Sequence, residues 1–129
     1  MTGPEPYEAF KAVNRRQLRV HIRPVGSPGE RMTYGYLHRI VDDEGRDEQL
    51  ALVFSFAVVI LRGRGLYAVA EALDEERCQW VQQFDPARWP MPAAGKPLIE
   101  SINIHIDRER MAEAHDEFMA SPAKKELPK

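Results

Sequence analysis

Cysteine occurs once in these 129 residues, at Cys78, so no disulfide framework can form within the chain and an apolar core must hold the fold. Apolar runs are short. The longest, residues 50–61, is closed off by Glu48 and Arg62 and falls below the roughly 18 residues that a membrane-crossing helix requires. Pro4, Glu5, Pro6 and Glu8 stand where a secretory leader would be apolar, which sets a cytoplasmic expectation. A strong charge of one sign is also missing: the net charge of −2 points to neither a dedicated nucleic-acid binder nor an acidic tail. The nucleotide-binding patterns GxGxxG and GxxxxGK[ST] do not occur, nor do the HExxH, HxH and CxxC spacings of metal sites. His21, His38, His105 and His115 fall on four separate elements, and Cys78 beside Gln79 and Trp80 matches no nucleophile signature. No catalytic residue, metal or cofactor is therefore expected.

What is present is uneven in charge. Residues 1–41 carry a net +4, residues 42–76 a net −6, and the remainder balances. The length suits one domain with its own core, placed at residues 7–120 between a mobile end over 1–6 and a disordered tail over 121–129.

The run at 50–61 reads as one strand buried on both sides, with Leu50, Leu52, Phe54, Phe56, Val58 and Ile60 on its bulky face. Close packing is expected on the opposite side, at Ala51, Ser55 and Ala57. Leu18, Val20 and Ile22 alternate with Arg19, His21 and Arg23, the pattern of a strand with one wet face. A second strand is expected over 31–41 with a bend at Gly35, followed by the exposed connection DDEGRDE over 42–48. Tyr7, Phe10 and Val13 have helical spacing after Pro6, and Leu66, Val69, Ala70 and Leu73 mark a middle helix. Residues 78–84 fit either a strand or a continued helix, and strand is adopted. Pro86, Pro90, Pro92 and Pro97 impose a loop. A strand over 98–106 follows, and then a last helix capped by Asp107. The expected fold is α+β: a strongly bent, mainly antiparallel sheet of about five strands, with short N-terminal, middle and C-terminal helices.

Three surface features offer function. Arg62-Gly63-Arg64-Gly65 leaves the apolar run just before a helix. There, freed backbone N–H groups, a helix N-terminus and two guanidinium groups supply the ingredients of an anion site. The plainer reading is a tight turn with solvated arginines. Arg15, Arg16, Arg19 and Arg23, with His21 among them, form a basic face suited to phosphates, or else a solvated face paired with the DDEGRDE loop. Trp89, between Arg88 and Pro90, is either an exposed contact for another protein chain or a cap on the core.

Leu61-Arg62-Gly63 at the end of an apolar strand resembles the second signature of Sm-like proteins. Tyr34-Gly35-Tyr36-Leu37 followed by Asp42 is similar to their first. The resemblance implies a small bent barrel, ring assembly, and RNA contact at Arg62 and Gly63. The expected function is a non-enzymatic binding or assembly module, forming a homo-oligomer through strand edges and touching an anion or RNA at the RGRG turn. The opposing expectation is a small enzyme or accessory subunit with a pocket near that turn, His105 and the proline-rich loop.

Overall fold

A computed structural model describes residues 6–107. They form β1 (Phe10–Ala12), β2 (Arg19–Arg23), β3 (Glu30–Thr33), a 3-10 turn (Tyr34–Tyr36), β4 (Leu37–Asp42), β5 (Gln49–Phe54), β6 (Ala57–Arg64), α1 (Tyr67–Asp74), β7 (Cys78–Gln82) and β8 (Leu98–Ile106). The α+β class holds, but the single five-stranded sheet does not. Eight strands make two four-stranded sheets, ordered β1-β7-β2-β3 (sheet I) and β4-β5-β6-β8 (sheet II), and neither closes into a barrel. All pairings are antiparallel except β2 with β7. The expected last helix and tail lie outside the described residues. Among the described residues no helix is long and apolar enough to cross a membrane.

The apolar run at 50–61 is a hairpin rather than one strand. Leu50, Leu52 and Phe54 of β5 are buried, Ser55 and Phe56 turn, and Ala57, Val59 and Leu61 of β6 are buried after them. A two-residue turn switches the buried parity from even to odd, so large side chains from both strands reach the same core. The expected bulky face is therefore divided, with Leu50, Leu52 and Phe54 in the core and Phe56, Val58 and Ile60 half-buried; the expected close-packed side is divided as well, since Ala57 is buried while Ala51 and Ser55 are only half-buried. Neither turn residue has positive φ. The turn is held from outside, by Ser55 N–H donating to Tyr36 O (2.9 Å) and Asp107 N–H donating to Phe56 O (2.8 Å).

Two further expectations change. The strand over 31–41 divides at the 3-10 turn, where Gly35 lies, and sends β3 to sheet I and β4 to sheet II. The N-terminal helix is replaced by β1, because pairing Phe10 with Val81 and Lys11 with Trp80 extends sheet I where a helix would leave the β7 edge bare. Tyr7 then seats between the sheets. Its hydroxyl donates to Gln82 O (2.6 Å) beside sheet I and accepts from Ile99 N–H (3.1 Å) in sheet II, while its ring meets Phe84 and Trp89 edge-on at 5.1 Å each.

α1 forms where the spacing of Leu66, Val69 and Leu73 predicts, and these three are buried with Ala72. The strand adopted over 78–84 is β7. Trp89 is only 9% exposed and stacks on Phe84, which removes it as an exposed contact for another chain. Apolar area of this size is worth more inside a core built from Tyr7, Phe84 and Leu98 than in water.

Candidate functional site

Alternation in β2 buries Val20 and Ile22 completely and turns Arg19, His21 and Arg23 to the outside of sheet I. β2 lies between β7 and β3, so its neighbours are set by register: His21 stands opposite Arg31 on β3 and opposite Trp80 on β7, and Trp80 stands opposite Lys11 on β1. A row Lys11, Trp80, His21, Arg31 thus crosses all four strands. Trp80 reaches this row through an irregularity. The β1–β7 register shifts so that Ala12 pairs with Cys78 while Lys11 pairs with Trp80, leaving Gln79 as the additional residue. Bulges of this kind re-aim a side chain. Here it lets Cys78 face the core and Trp80 face outward.

The Arg23 guanidinium lies over the Trp80 ring, 4.6 Å from its centroid, and Arg23 Nε donates to His21 Nδ1 at 3.1 Å. That bond requires an unprotonated Nδ1. Burial pulls the His21 pKa below its ordinary value, and the Arg31 and Arg23 charges pull it further. At neutral pH the positive charge of this face therefore belongs to its arginines and Lys11. Arg19, His21, Arg23, Arg31, Gln79 and Trp80 line a shallow concavity of about 370 Å³, and among the described residues no carboxylate stands in its wall. The Arg88 charge reaches Arg23 from one side, where Arg88 stacks 4.3 Å from the Trp89 ring centroid.

Like charges gathered on neighbouring strands repel one another, and among the described residues the ion pairs lie elsewhere, at Arg16–Glu76 and Arg77–Glu75. Arg15 and Arg16 precede β2 and are highly exposed, and Arg16 turns to Glu76 at 3.5 Å. The basic face expected from Arg15, Arg16, Arg19 and Arg23 is thus divided. Arg19 and Arg23 stay, and Arg31, Lys11 and Trp80 join them. The DDEGRDE loop does not neutralise this face either, since it packs against α1 and β6.

That packing also redefines the RGRG segment. Arg62 to Arg64 continue β6 instead of forming a loop. Asp47 Oδ1 accepts the Tyr67 N–H at the start of α1, so a carboxylate from the chain itself occupies the helix N-terminus. Arg64 donates to the carbonyls of Lys96 (3.3 Å), Pro92 (3.1 Å) and Ala93 (3.2 Å), fastening the proline-rich loop, and Arg62 Nε donates to Gln49 Oε1 at 3.0 Å. Gly63 and Gly65 are needed by geometry. The first lies against the β8 main chain, and the second has φ +67°. The segment is a structural joint.

Of the pocket expected near RGRG, His105 and the proline-rich loop, a concavity of about 470 Å³ forms beside that loop, lined by Tyr7, Glu8, Pro92 and Lys96 among others, with Arg64 holding the loop carbonyls, but His105 is not brought to it. Arg62 pairs with Ser101, whereas His105 pairs with Val58, four residues along β8 and roughly 13 Å away. Among the described residues no three His, Cys, Asp or Glu side chains cluster as metal ligands would. Cys78 is buried, its thiol donating to Trp80 O at 3.2 Å, and burial pushes its pKa from 9.0 up to about 12, far from a nucleophile's. Burial likewise lifts Tyr7 from 10.0 to about 12. Both groups release protons earlier in the unfolded chain than in the folded one. Stability is therefore full below about pH 9 and declines as pH climbs from there toward 12. Urea midpoints should fall steeply across this range, and Cys78→Ala should flatten the first part of the decline.

The chain matches no protein-family model, and no curated protein or solved structure is significantly similar to it.

Proposed function

We propose that the protein is a non-enzymatic binding module whose sheet I presents a cationic face to an anionic polymer. The observation that carries this reading is the row Lys11, Trp80, His21, Arg31, flanked by Arg19 and Arg23, around a concavity with no carboxylate in its wall among the described residues. Without a bound anion these charges only destabilise the sheet, and a chain of phosphates would turn their repulsion into attraction. The net charge of −2 does not oppose this, because the acids of residues 42–48 lie at α1 and β6 and leave the local field of sheet I positive. The Sm-like resemblance leads to RNA as well, but through Arg62 and Gly63. The contacts of Arg64 and the capping of α1 by Asp47 favour sheet I instead.

Anisotropy titrations with labelled polyphosphate and a short oligonucleotide test the reading. Binding at low salt should weaken with a log–log salt slope of about −3 if four phosphates of a single strand are neutralised. Arg19→Ala with Arg31→Ala should halve that slope, and Arg62→Ala should leave it unchanged. Failure of both polymers to bind at low salt, or an Arg62→Ala loss equal to that of the double variant, would end the proposal.

Assembly through strand edges is the second reading. β1, β3, β4 and β8 end their sheets among the described residues, and β4 carries an exposed Val41. Light scattering on the same samples gives the copy number.

A further inference from the structure

We infer that the polymer is a single-stranded nucleic acid, with an unpaired base stacked on Trp80 while its phosphates lie along Lys11, Arg19, Arg23 and Arg31. The inference rests on the polyanion reading above and adds the substrate class. A face meant only for charge has no use for an indole, yet Trp80 occupies the second place in the four-residue row, with cationic Lys11 on one side and His21 on the other. It is half-buried rather than sunk into the core, unlike Trp89.

The chain also departs from regular pairing to put it there: with unbroken alternation through Gln79, Trp80 would share the core-facing parity of Cys78. One face of the ring already carries a flat cationic group, the Arg23 guanidinium at 4.6 Å. A base is a flat π partner of the same kind. It can take that place, or insert beside it, while the displaced guanidinium turns to the adjoining phosphate as a bidentate donor.

Geometry selects the single strand. Bases in a duplex are stacked on one another and offer a flat sheet only their edges, whereas an unpaired strand lying across an open sheet can splay its bases onto an aromatic side chain. Four strands span roughly 14 Å between the outer two, wide enough for a short stretch of strand and too shallow, at this concavity, to enclose a helix.

The test compares three labelled or competing probes at one salt concentration: a short oligothymidylate, the same length of duplex, and polyphosphate of similar charge. The parent should bind the single strand most tightly. Trp80→Ala should weaken single-strand binding roughly tenfold to a hundredfold while changing polyphosphate binding by no more than about twofold, and Trp80→Phe should restore most of the loss. Retained polyphosphate binding also shows that Trp80→Ala is folded. Tryptophan emission should be quenched by oligothymidylate in the parent and not in Trp80→Phe, where only the buried Trp89 remains. Equal losses for strand and polyphosphate, or duplex binding as tight as single-strand binding, would overturn the stacking inference and leave the polyanion reading standing. No binding of any probe would overturn both.

Discussion

Replacing Gly63 with alanine is expected to cost about 3 kcal/mol of stability or more, the high end of what overpacking does. A Cβ at this position would fall 1.8 Å from Leu98 O and 3.1 Å from Glu100 N. Both atoms belong to the β8 main chain and cannot rotate away. The strands come this close because their register shifts here: Arg62 pairs with Ser101 and Gly63 with Ile99, so Glu100 is additional on β8. Relief would require β6 and β8 to separate, pulling at the Gly63 N–H donated to Glu48 O (2.9 Å) and at the loop that caps α1. In urea the midpoint should drop with the slope unchanged. Gly35→Ala is the control, because its nearest neighbour would be Thr33 Cγ2 at 3.8 Å with no positive φ, and its cost should stay within about 0.5 kcal/mol. Equal stability of Gly63→Ala and the parent would mean that β6 and β8 do not approach in this way.

Tyr7→Phe should be nearly as costly, although it removes one oxygen. The hydroxyl joins the two sheets, and its loss leaves the Gln82 carbonyl and the Ile99 N–H buried without this partner. At about 1–3 kcal/mol for each stranded group, the expected loss is on the order of 3 kcal/mol. The ring packing against Phe84 and Trp89 survives in phenylalanine, so the loss isolates the hydrogen bonds. The alkaline decline should also lessen, since Tyr7 is one of the buried groups that cause it, with Cys78 and Tyr34. A variant as stable as the parent, with the parent's alkaline profile, would contradict this role.

Local periodicity made part of this fold legible. Arg19, His21 and Arg23 alternate with Val20 and Ile22, and that alternation alone places them on a wet strand face. Leu66, Val69 and Leu73 announce α1, and the prolines announce the loop that holds Trp89. The hairpin inside residues 50–61 was hidden because Ser55 and Phe56 carry none of the Gly or Asn chemistry that marks a two-residue turn; its supports come from Tyr36 and Asp107, distant in sequence. β1 was hidden for a similar reason. Its spacing suits a helix, and only β7, some seventy residues later, makes it a strand.

The candidate site divides in the same way. The cations of β2 are visible in the sequence, but Arg31, Trp80 and Lys11 join them only through pairings across sheet I. Trp80 in particular depends on a parallel neighbour and a register shift that no local pattern encodes. For RGRG the two arginines and the following helix start are legible in the sequence, but the backbone is strand and the Gly63 N–H is taken by Glu48 O. The cap of α1, Asp47, comes from the DDEGRDE loop, whose charge pattern marks it only as exposed.

The most direct test of the cationic face is a map of amide chemical-shift changes as a short single-stranded oligonucleotide is added at low salt. The shifts should concentrate on β2, β3 and β7 around His21, Arg31 and Trp80, with the Trp80 indole N–H among the largest, and should be weak at Arg62 to Gly65. Shifts centred on the RGRG segment, or none above background at saturating oligonucleotide, would contradict a nucleic-acid site on sheet I.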